Sequence, residues 1–179
     1  QYVGMGRELA CVFPEALEAI EQAQALWRRS PTLADLLYPR PGGPPTDPEA
    51  ELKSTDTAQP AIGAVSLAFH KVLARFGVVP DAAAGHSFGE LTALCAAGWI
   101  READFHALAA ARGAAMAAAA PGAMLAVRAP LSEIERMLAA ESPGVVLANR
   151  NGPEQGVLSG TCEAVAAAAE CCRRRGFAA

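Results

Sequence analysis

The pentapeptide Gly-His-Ser-Phe-Gly at 85–89 lies where a short run with weak strand character (78–85) turns into an apolar segment with helical character (88–99). A turn between a strand and a helix can form a strained elbow that exposes its central serine, and small residues two positions before and after keep strand and helix apart. The backbone N–H of Phe88 would then lie at a helix N-terminus, directed at developing negative charge. The pattern predicts a nucleophilic Ser87. The alternative is a tight turn in which Ser87 only caps the helix.

Apolar residues at helical spacing, with Pro and Gly near the ends, predict most elements of the first two thirds of the chain. We expect helices over 13–27, 59–76 and 102–119, with Pro60 in the first turn of the second one. The segment 38–51 is rich in Pro and Gly, has no periodicity and is predicted to be an exposed loop.

The pattern changes after Pro121, where short strand and helix signals alternate. Their order is strand, helix, strand, strand, helix, at 123–129, 131–140 (with Ser132 as candidate N-cap), 144–150, 155–160 and 161–175. This order is most of a split β-α-β sandwich and lacks only the final strand. We therefore expect two domains, a larger α/β unit over 1–121 and a small domain over 122–179.

Composition and charge exclude several classes of protein. Apolar residues make up 52% and charged residues 19% of the chain, which is ordinary for a globular protein. A net charge of −4 gives no reason to expect nucleic acid or an anionic membrane as a partner, because both require a basic patch. The apolar stretches are too short to span a bilayer, and the sequence starts at Gln1 without a secretory signal, as if excised from a longer protein. The five cysteines lack C-x-x-C spacing, so we expect free thiols in the cytoplasm and no metal site.

A reactive serine needs a base, and the sequence offers no convincing one. His86 is adjacent to Ser87, and adjacent side chains of an extended segment point to opposite sides. His70 and His106 lie within helical patterns, where a lone histidine is usually a surface or boundary residue.

Five blocks of the sequence resemble one family, in the same order along the chain. They are QYVGMGRELA, TDTAQPAIGAVSLAF, GHSFGELTAL, the arginine of AAARGAAM, and NRNGPEQGVLSG. On these blocks the chain resembles the acyltransferase domains of modular and iterative polyketide synthases and the related malonyl-CoA:acyl carrier protein transacylases. The resemblance covers essentially the whole chain. It implies an α/β fold with an α/β-hydrolase-like core and an inserted ferredoxin-like small domain, here without its last strand.

The resemblance also implies roles for individual residues. Ser87 corresponds to the nucleophile that carries the acyl ester, and the Phe88 N–H corresponds to one oxyanion donor. Arg112 corresponds to the arginine that binds the free carboxylate of an extender unit. A planar guanidinium suits this role because it can hold a carboxylate through two parallel hydrogen bonds.

Other matched positions are expected near the substrate. His86 is expected to line the pocket and Glu90 to have a mainly structural role, while Gln1 and Gln59 are expected among the substrate-binding residues. In the family, the glutamine that donates the second oxyanion N–H comes just before the position of Gln1. The family's catalytic histidine is expected beyond the last residue of this sequence.

The implied reaction is a ping-pong transfer of a malonyl group from malonyl-CoA, by way of Ser87, to the phosphopantetheine thiol of an acyl carrier protein. No bound cofactor is expected. The expected partners are the acyl carrier protein, the ketosynthase and other domains of the same synthase, and small-molecule acyl-CoA, without nucleic acid or membrane. Phe88 favours malonyl over methylmalonyl, because a bulky apolar residue after the serine accompanies malonyl in the family. A phenylalanine there also resembles iterative synthases of the enediyne type.

Two other functions stay open at this point. A serine hydrolase, such as a thioesterase or lipase, would use the same elbow with water as the acceptor and would not need Arg112. An inactive fragment that only binds carrier protein or neighbouring domains would need no base.

Overall fold

The computed structural model describes residues 1–42, 47–141 and 143–179. These residues form two compact units, Gln1–Ala119 and Ala120–Ala179. The helices of the first unit are α1 (Arg7–Val12), α2 (Pro14–Leu26), α3 (Leu33–Leu37), α4 (Pro48–Lys53), α5 (Thr55–Arg75), α6 (Gly89–Ala96) and α7 (Glu102–Ala118). The second unit contains β1 (Ala123–Arg128), α8 (Leu131–Glu141), β2 (Val146–Gly152), β3 (Gln155–Gly160) and α9 (Cys162–Arg174). The assignment of an acyltransferase core to 1–121 and of a small domain to 122–179 remains a prediction.

Helix α5 is the longest helix of the first unit and packs against α2 and α7. It begins at Thr55, earlier than predicted, so Pro60 lies inside the helix and not in its first turn. Proline has no N–H to donate to the carbonyl group four residues before it, here that of Asp56. The Arg29 guanidinium donates to this carbonyl oxygen at 3.4 Å and to the Asp56 carboxylate at 2.8 Å. A donor from outside the helix therefore takes the place of the missing backbone donor.

The sequence patterns do not predict the short helices α1, α3 and α4. Helix α4 overlaps the segment 38–51, which was expected to be an exposed loop and of which 43–46 lie outside the described residues. The Asp47 carboxylate caps α4 by accepting from the Ala50 N–H at 3.1 Å, and Leu52 is fully buried. These helices are too short to show a period in the sequence. Side-chain caps from Thr32 and Asp47 and buried leucines stabilise α3 and α4.

The strand predicted at 78–85 is wrong, because this segment is irregular and exposed. Val78 and Val79 are 52% and 80% exposed. A strand requires hydrogen bonds to a neighbouring strand, and among the described residues the only sheet consists of β1, β2 and β3 of the second unit. Valine favours extended backbone, but this preference does not supply a partner strand.

Helices α5 and α7 approach each other closely at two glycines, one on each helix. A Cβ atom at Gly113 would lie 2.8 Å from both the Cα of Asp56 and the carbonyl oxygen of Thr55. A Cβ atom at Gly63 would lie 2.9 Å from the ring of Phe105, which is fully buried between the helices. A larger residue at Gly113 would push the helices apart, whereas one at Gly63 would first displace the ring of Phe105. The approach brings the residues beside Gly113 against the first turns of α5.

The second unit is an antiparallel sheet in the order β1-β3-β2, with α8 and α9 packed on it. Its core contains Val127, Ile134, Met137, Leu158, Ala168 and Cys172, all buried. Helix α8 begins at Leu131, so Ser132 is its second residue and not the N-cap, and the Pro130 carbonyl accepts from the Ile134 N–H at 3.1 Å. At the edge of β1 away from β3, the Arg128 N–H donates to the Ala178 carbonyl at 2.7 Å in an isolated antiparallel bridge.

No helix in the described part of the chain is both long enough and apolar enough to cross a membrane.

His106 is a buried histidine in the core of the first unit. It is 6% exposed, its ring packs edge-on against that of Phe105, and its Nε2 has no hydrogen-bond partner among the described residues. Burial lowers the pKa of His106, and the nearby Lys71 lowers it further while Glu102 opposes the shift. The folded protein therefore favours the neutral imidazole.

We expect Gly113→Ala to lower the free energy of unfolding by up to about 2 kcal/mol. The new methyl group would meet backbone atoms of α5, which costs about 1–3 kcal/mol, and alanine returns about 1 kcal/mol in a helix interior. Gly63→Ala is the matched comparison and should cost less, since its contact is a ring that can turn. Urea denaturation followed by circular dichroism measures both. A more stable Gly113→Ala protein would contradict the close approach.

We expect the free energy of unfolding to fall as the pH is lowered through 6.5, the ordinary pKa of histidine. Below this pH the unfolded chain takes up a proton that the folded protein resists, so stability decreases until the lowered folded-state pKa is reached. Urea denaturation at about pH 7.5 and about pH 5.5 measures the difference. His106→Gln should reduce it, while His70→Gln, at a half-exposed position of α5, should not. An unchanged pH dependence in His106→Gln would refute this assignment.

Candidate active site

The Gly-His-Ser-Phe-Gly turn is a backbone elbow in which Ser87 has a φ of 55°. Among the described residues Ser87 is the only non-glycine with a positive φ, a conformation that costs free energy and is typical of functional sites. A Cβ atom at Gly85 would lie 2.0 Å from the carbonyl oxygen of Gly89, so the elbow requires glycine at position 85. Ser87 itself is exposed. The backbone therefore presents the serine hydroxyl on the surface at the start of α6.

Helix α6 begins at Gly89 and has Phe88 at its N-cap position, without a side-chain cap. Ser87 therefore does not cap the helix, which contradicts the alternative interpretation of the turn. The Gly89 and Glu90 N–H groups donate to the carbonyl oxygens of His86 and Ser87 at 3.0 and 3.1 Å, which leaves the Phe88 N–H as the candidate oxyanion donor at this partially positive end of α6. The ring of Phe88 is buried, with its centroid 6.0 Å from that of Phe105.

Arg112 on α7 reaches the hydroxyl group of Ser87. Its Nη2 donates to Ser87 Oγ at 3.2 Å, and its Nη1 donates to Gln59 Oε1 at 2.7 Å. Arg112 is half-buried and Gln59 is 4% exposed. Because a guanidinium keeps its charge at all accessible pH values, a permanent positive charge lies next to the exposed hydroxyl. This pair can bind an acid whose carboxylate is only a few atoms from the group that the serine attacks.

An open pocket of about 600 Å³ lies beside Ser87. Its walls come from the segment before the elbow, the elbow itself and the facing sides of α5 and α6, including Ile62, Ser66 and Thr92. The lining is mainly apolar, with few hydroxyl groups. Such a pocket can accept a mostly aliphatic chain that leads to the serine.

The structure brings some of the predicted site residues together and leaves others apart. Ser87, Phe88 and His86 line the pocket, and Arg112 and Gln59 contact each other behind Ser87. Gln1 and Glu90 are exposed and do not line this pocket. His70 is half-exposed on α5, and His106 lines a separate small cavity with Trp27 and Pro60.

Sequence reasoning missed two contacts at this site. The Gln59 Nε2 donates to Thr55 Oγ1 at 2.8 Å and to the sulfur of Met116 at 3.3 Å. Thr55 and Gln59 are four residues apart on α5, and Arg112 and Met116 are four residues apart on α7. This spacing puts each pair on one face of its helix, a signal that the sequence contained.

Comparison with known proteins identifies close relatives along the whole chain. A family described as acyl transferase domain matches residues 1–179. The polyketide synthase GfsA of Streptomyces halstedii is 37% identical over 180 residues, which cover 98% of this chain and 2% of GfsA. The acyltransferase domain from the second module of the salinomycin polyketide synthase has a TM-score of 0.85 and 36% identity, covering 99% of this chain and 40% of that one. The malonyl CoA-acyl carrier protein transacylase from Clostridium perfringens has a TM-score of 0.86 and 30% identity, covering 99% of this chain and 55% of that one.

The chain thus spans less than two thirds of the length of each of these relatives. The similarity to the two solved structures extends over 99% of this chain and confirms the α/β fold class that the sequence predicts. The chain therefore belongs to the acyl transferase domain family, and its relatives include the acyltransferase domains of polyketide synthases.

Proposed function

We propose that this protein transfers a malonyl group from coenzyme A to the phosphopantetheine thiol of an acyl carrier protein in polyketide biosynthesis, by way of an ester on Ser87. The observation that carries the proposal is the hydrogen bond from Arg112 Nη2 to Ser87 Oγ at 3.2 Å. It joins a fixed cation to an exposed nucleophile at a strained elbow.

The chemistry of malonyl-CoA matches this pair. A malonyl group has a carboxylate at one end and a thioester at the other, with one methylene between them. A carboxylate held by the Arg112 guanidinium would bring the thioester carbonyl next to Ser87 Oγ, so binding energy from the remote charge orients the reacting carbon. A plain acyl group has no anion to offer the guanidinium and gains nothing from it. This difference favours dicarboxylic acyl groups.

The transfer takes place in two half-reactions. Ser87 Oγ attacks the thioester carbonyl and passes its proton to a general base, and the resulting oxyanion faces the Phe88 N–H at the start of α6. The C–S bond then breaks, the coenzyme A thiol leaves with a proton, and malonyl-Ser87 remains. The phosphopantetheine thiol attacks this ester in the second half-reaction and regenerates the serine hydroxyl. The reaction requires no bound cofactor.

Two further groups take part in the proposed reaction. As the family resemblance implies, we take the general base to be a histidine and the second oxyanion donor to be a backbone N–H. His86 would line the pocket beside the ester.

Partners and location follow from the same proposal. The transacylase from Clostridium perfringens is named for malonyl CoA and acyl carrier protein, and GfsA is named as a polyketide synthase. By analogy, the acceptor here would be a carrier protein, and the ketosynthase of the same synthase would be a neighbour. The cysteines Cys11, Cys95, Cys162, Cys171 and Cys172 are free thiols, which is compatible with a cytoplasmic location.

We expect radiolabelled malonyl-CoA to label the full-length protein covalently and Ser87→Ala to remove the label, because the hydroxyl carries the ester. Peptide mapping by mass spectrometry should find the adduct on the peptide that contains Ser87. Carrier-bound malonate, measured against free malonate, separates transfer from hydrolysis. Equal labelling of Ser87→Ala would reject the proposed nucleophile, and free malonate as the main product would favour the hydrolase.

We expect Arg112→Ala to reduce malonyl transfer by about 10²- to 10³-fold, because truncating one partner of a desolvated charge pair costs about 2–5 kcal/mol. Acetyl transfer should change by less than about fivefold, since acetyl has no carboxylate to lose. Arg101→Ala is the control, because Arg101 is an exposed arginine at the start of α7 that pairs with Asp104. Equal losses for malonyl and acetyl transfer would exclude Arg112 as a carboxylate-binding residue.

A further inference from the structure

The buried amide of Gln59 uses both of its N–H groups and accepts a charged hydrogen bond. Its Oε1 accepts from Arg112 Nη1 at 2.7 Å, and its Nε2 donates to Thr55 Oγ1 at 2.8 Å and to Met116 Sδ at 3.3 Å. A side-chain amide has two N–H donors, so none is left for a substrate. The remaining lone pair of Oε1 cannot bind a carboxylate, which is itself an acceptor. Direct contact between Gln59 and an anionic substrate is therefore disfavoured.

Thr55 and Met116 determine which way the amide faces. A guanidinium only donates hydrogen bonds, so it requires the oxygen of Gln59 and repels the NH₂ group. The Thr55 hydroxyl and the Met116 sulfur accept on the opposite side and hold the NH₂ group there. An amide turned by 180° would lose all three interactions, and in a buried site each unmade hydrogen bond is costly.

The four side chains form one cluster between two helices. Thr55 and Gln59 lie one turn apart on α5, and Arg112 and Met116 lie one turn apart on α7. Gly113, next to Arg112, contacts the backbone of α5 at Thr55 and keeps the helices close enough for these bonds. Ser87 is joined to the cluster by its hydrogen bond from Arg112 Nη2. The cluster therefore acts on the nucleophile through a single guanidinium.

We propose that Gln59 is a positioning residue, oriented by Thr55 and Met116, that holds the Arg112 guanidinium beside Ser87 and so favours acyl groups that carry a carboxylate. This inference rests on the proposed function and adds to it the reason for selectivity. A guanidinium bound at Nη1 by a buried amide cannot swing away to make room for a neutral acyl chain. Loosening the amide weakens malonyl binding and relaxes the discrimination against acetyl groups.

The test measures kcat and KM of the full-length protein with malonyl-CoA and with acetyl-CoA for Thr55→Val, which removes the oxygen acceptor of Gln59 Nε2, leaves the Met116 sulfur and keeps nearly the same side-chain volume. We expect the KM for malonyl-CoA to rise by about three- to tenfold, the worth of one hydrogen bond, with little change in kcat. The kcat/KM for acetyl-CoA should stay the same or increase. Thr55→Ser restores the hydroxyl and should restore the wild-type ratio.

Thr57→Val is the matched control for this test. It makes the same chemical change two residues along α5, at a buried threonine whose Oγ1 has no hydrogen-bond partner among the described residues. It should leave the malonyl-to-acetyl ratio unchanged. If Thr55→Val also leaves this ratio unchanged while wild type prefers malonyl, the positioning role is wrong.

A double-mutant cycle separates positioning from a general loss of packing. With Gln59→Leu already present, Thr55→Val should have no further effect on the malonyl KM, because its only route to Arg112 is gone. An undiminished effect of Thr55→Val in that background would overturn the inference.

If Thr55→Val fails to fold, Gln59→Glu tests the same point. The new carboxylate would compete with the malonyl carboxylate for Arg112, so malonyl transfer should fall while acetyl transfer should not. Equal losses of both activities would contradict the inference.

The outcomes also distinguish this inference from the proposed function. A wild-type protein that does not acylate Ser87, or does not prefer malonyl-CoA to acetyl-CoA, would refute the proposed function. A wild-type protein with that preference, together with a Thr55→Val protein that keeps it, would refute only the role of Gln59.

Discussion

The close approach of α5 and α7 determines the geometry of the candidate site. It depends on Gly113, where even one methyl group would meet the backbone of α5. The approach allows a hydrogen bond of 2.7 Å between Arg112 and Gln59, whose positions are 53 residues apart in the sequence. The distance between two packed helices depends on the smallest residues on their facing surfaces. The missing side chain at Gly113 therefore allows the Arg112 guanidinium to reach Gln59.

The site combines two devices that arise separately in the chain. The elbow is local, because a serine with a φ of 55° and the glycine at position 85 fix the direction of the Ser87 side chain within a few residues. The guanidinium comes from another helix and depends on tertiary packing. In the proposed function, the first device supplies the nucleophile and the Phe88 N–H as an oxyanion donor, and the second supplies selectivity for charge. A hydrolase would need only the first, so the hydrogen bond between Arg112 and Ser87 supports the proposed transfer of a dicarboxylic acyl group.

Local sequence signals predicted the elbow and the long helices, whereas features that depend on partners escaped prediction. A Cβ atom at Gly85 would collide with the carbonyl group of Gly89, a steric requirement contained within five residues, whereas a Cβ atom at Gly89 would meet nothing within 4 Å. Pro60 was expected in a first turn, but Arg29, from a distant part of the chain, supplies the donor that lets the helix begin earlier. The segment 78–85 was expected to be a short strand, yet a strand forms only when a neighbouring strand pairs with it. The role proposed for Gln59 depends on contacts with Thr55 and Met116. The sequence shows only that Thr55 lies four residues before Gln59 and that Met116 lies four residues after Arg112.

The exposed segment 78–85 leads directly into the strained turn at Ser87 and carries backbone N–H and C=O groups that no described strand occupies. On the other side of the turn, the Gly89 and Glu90 N–H groups donate to the carbonyl oxygens of His86 and Ser87 at 3.0 and 3.1 Å. A backbone with an unfavourable φ persists only where its surroundings hold it, so the direction of the Ser87 hydroxyl depends on the first turn of α6.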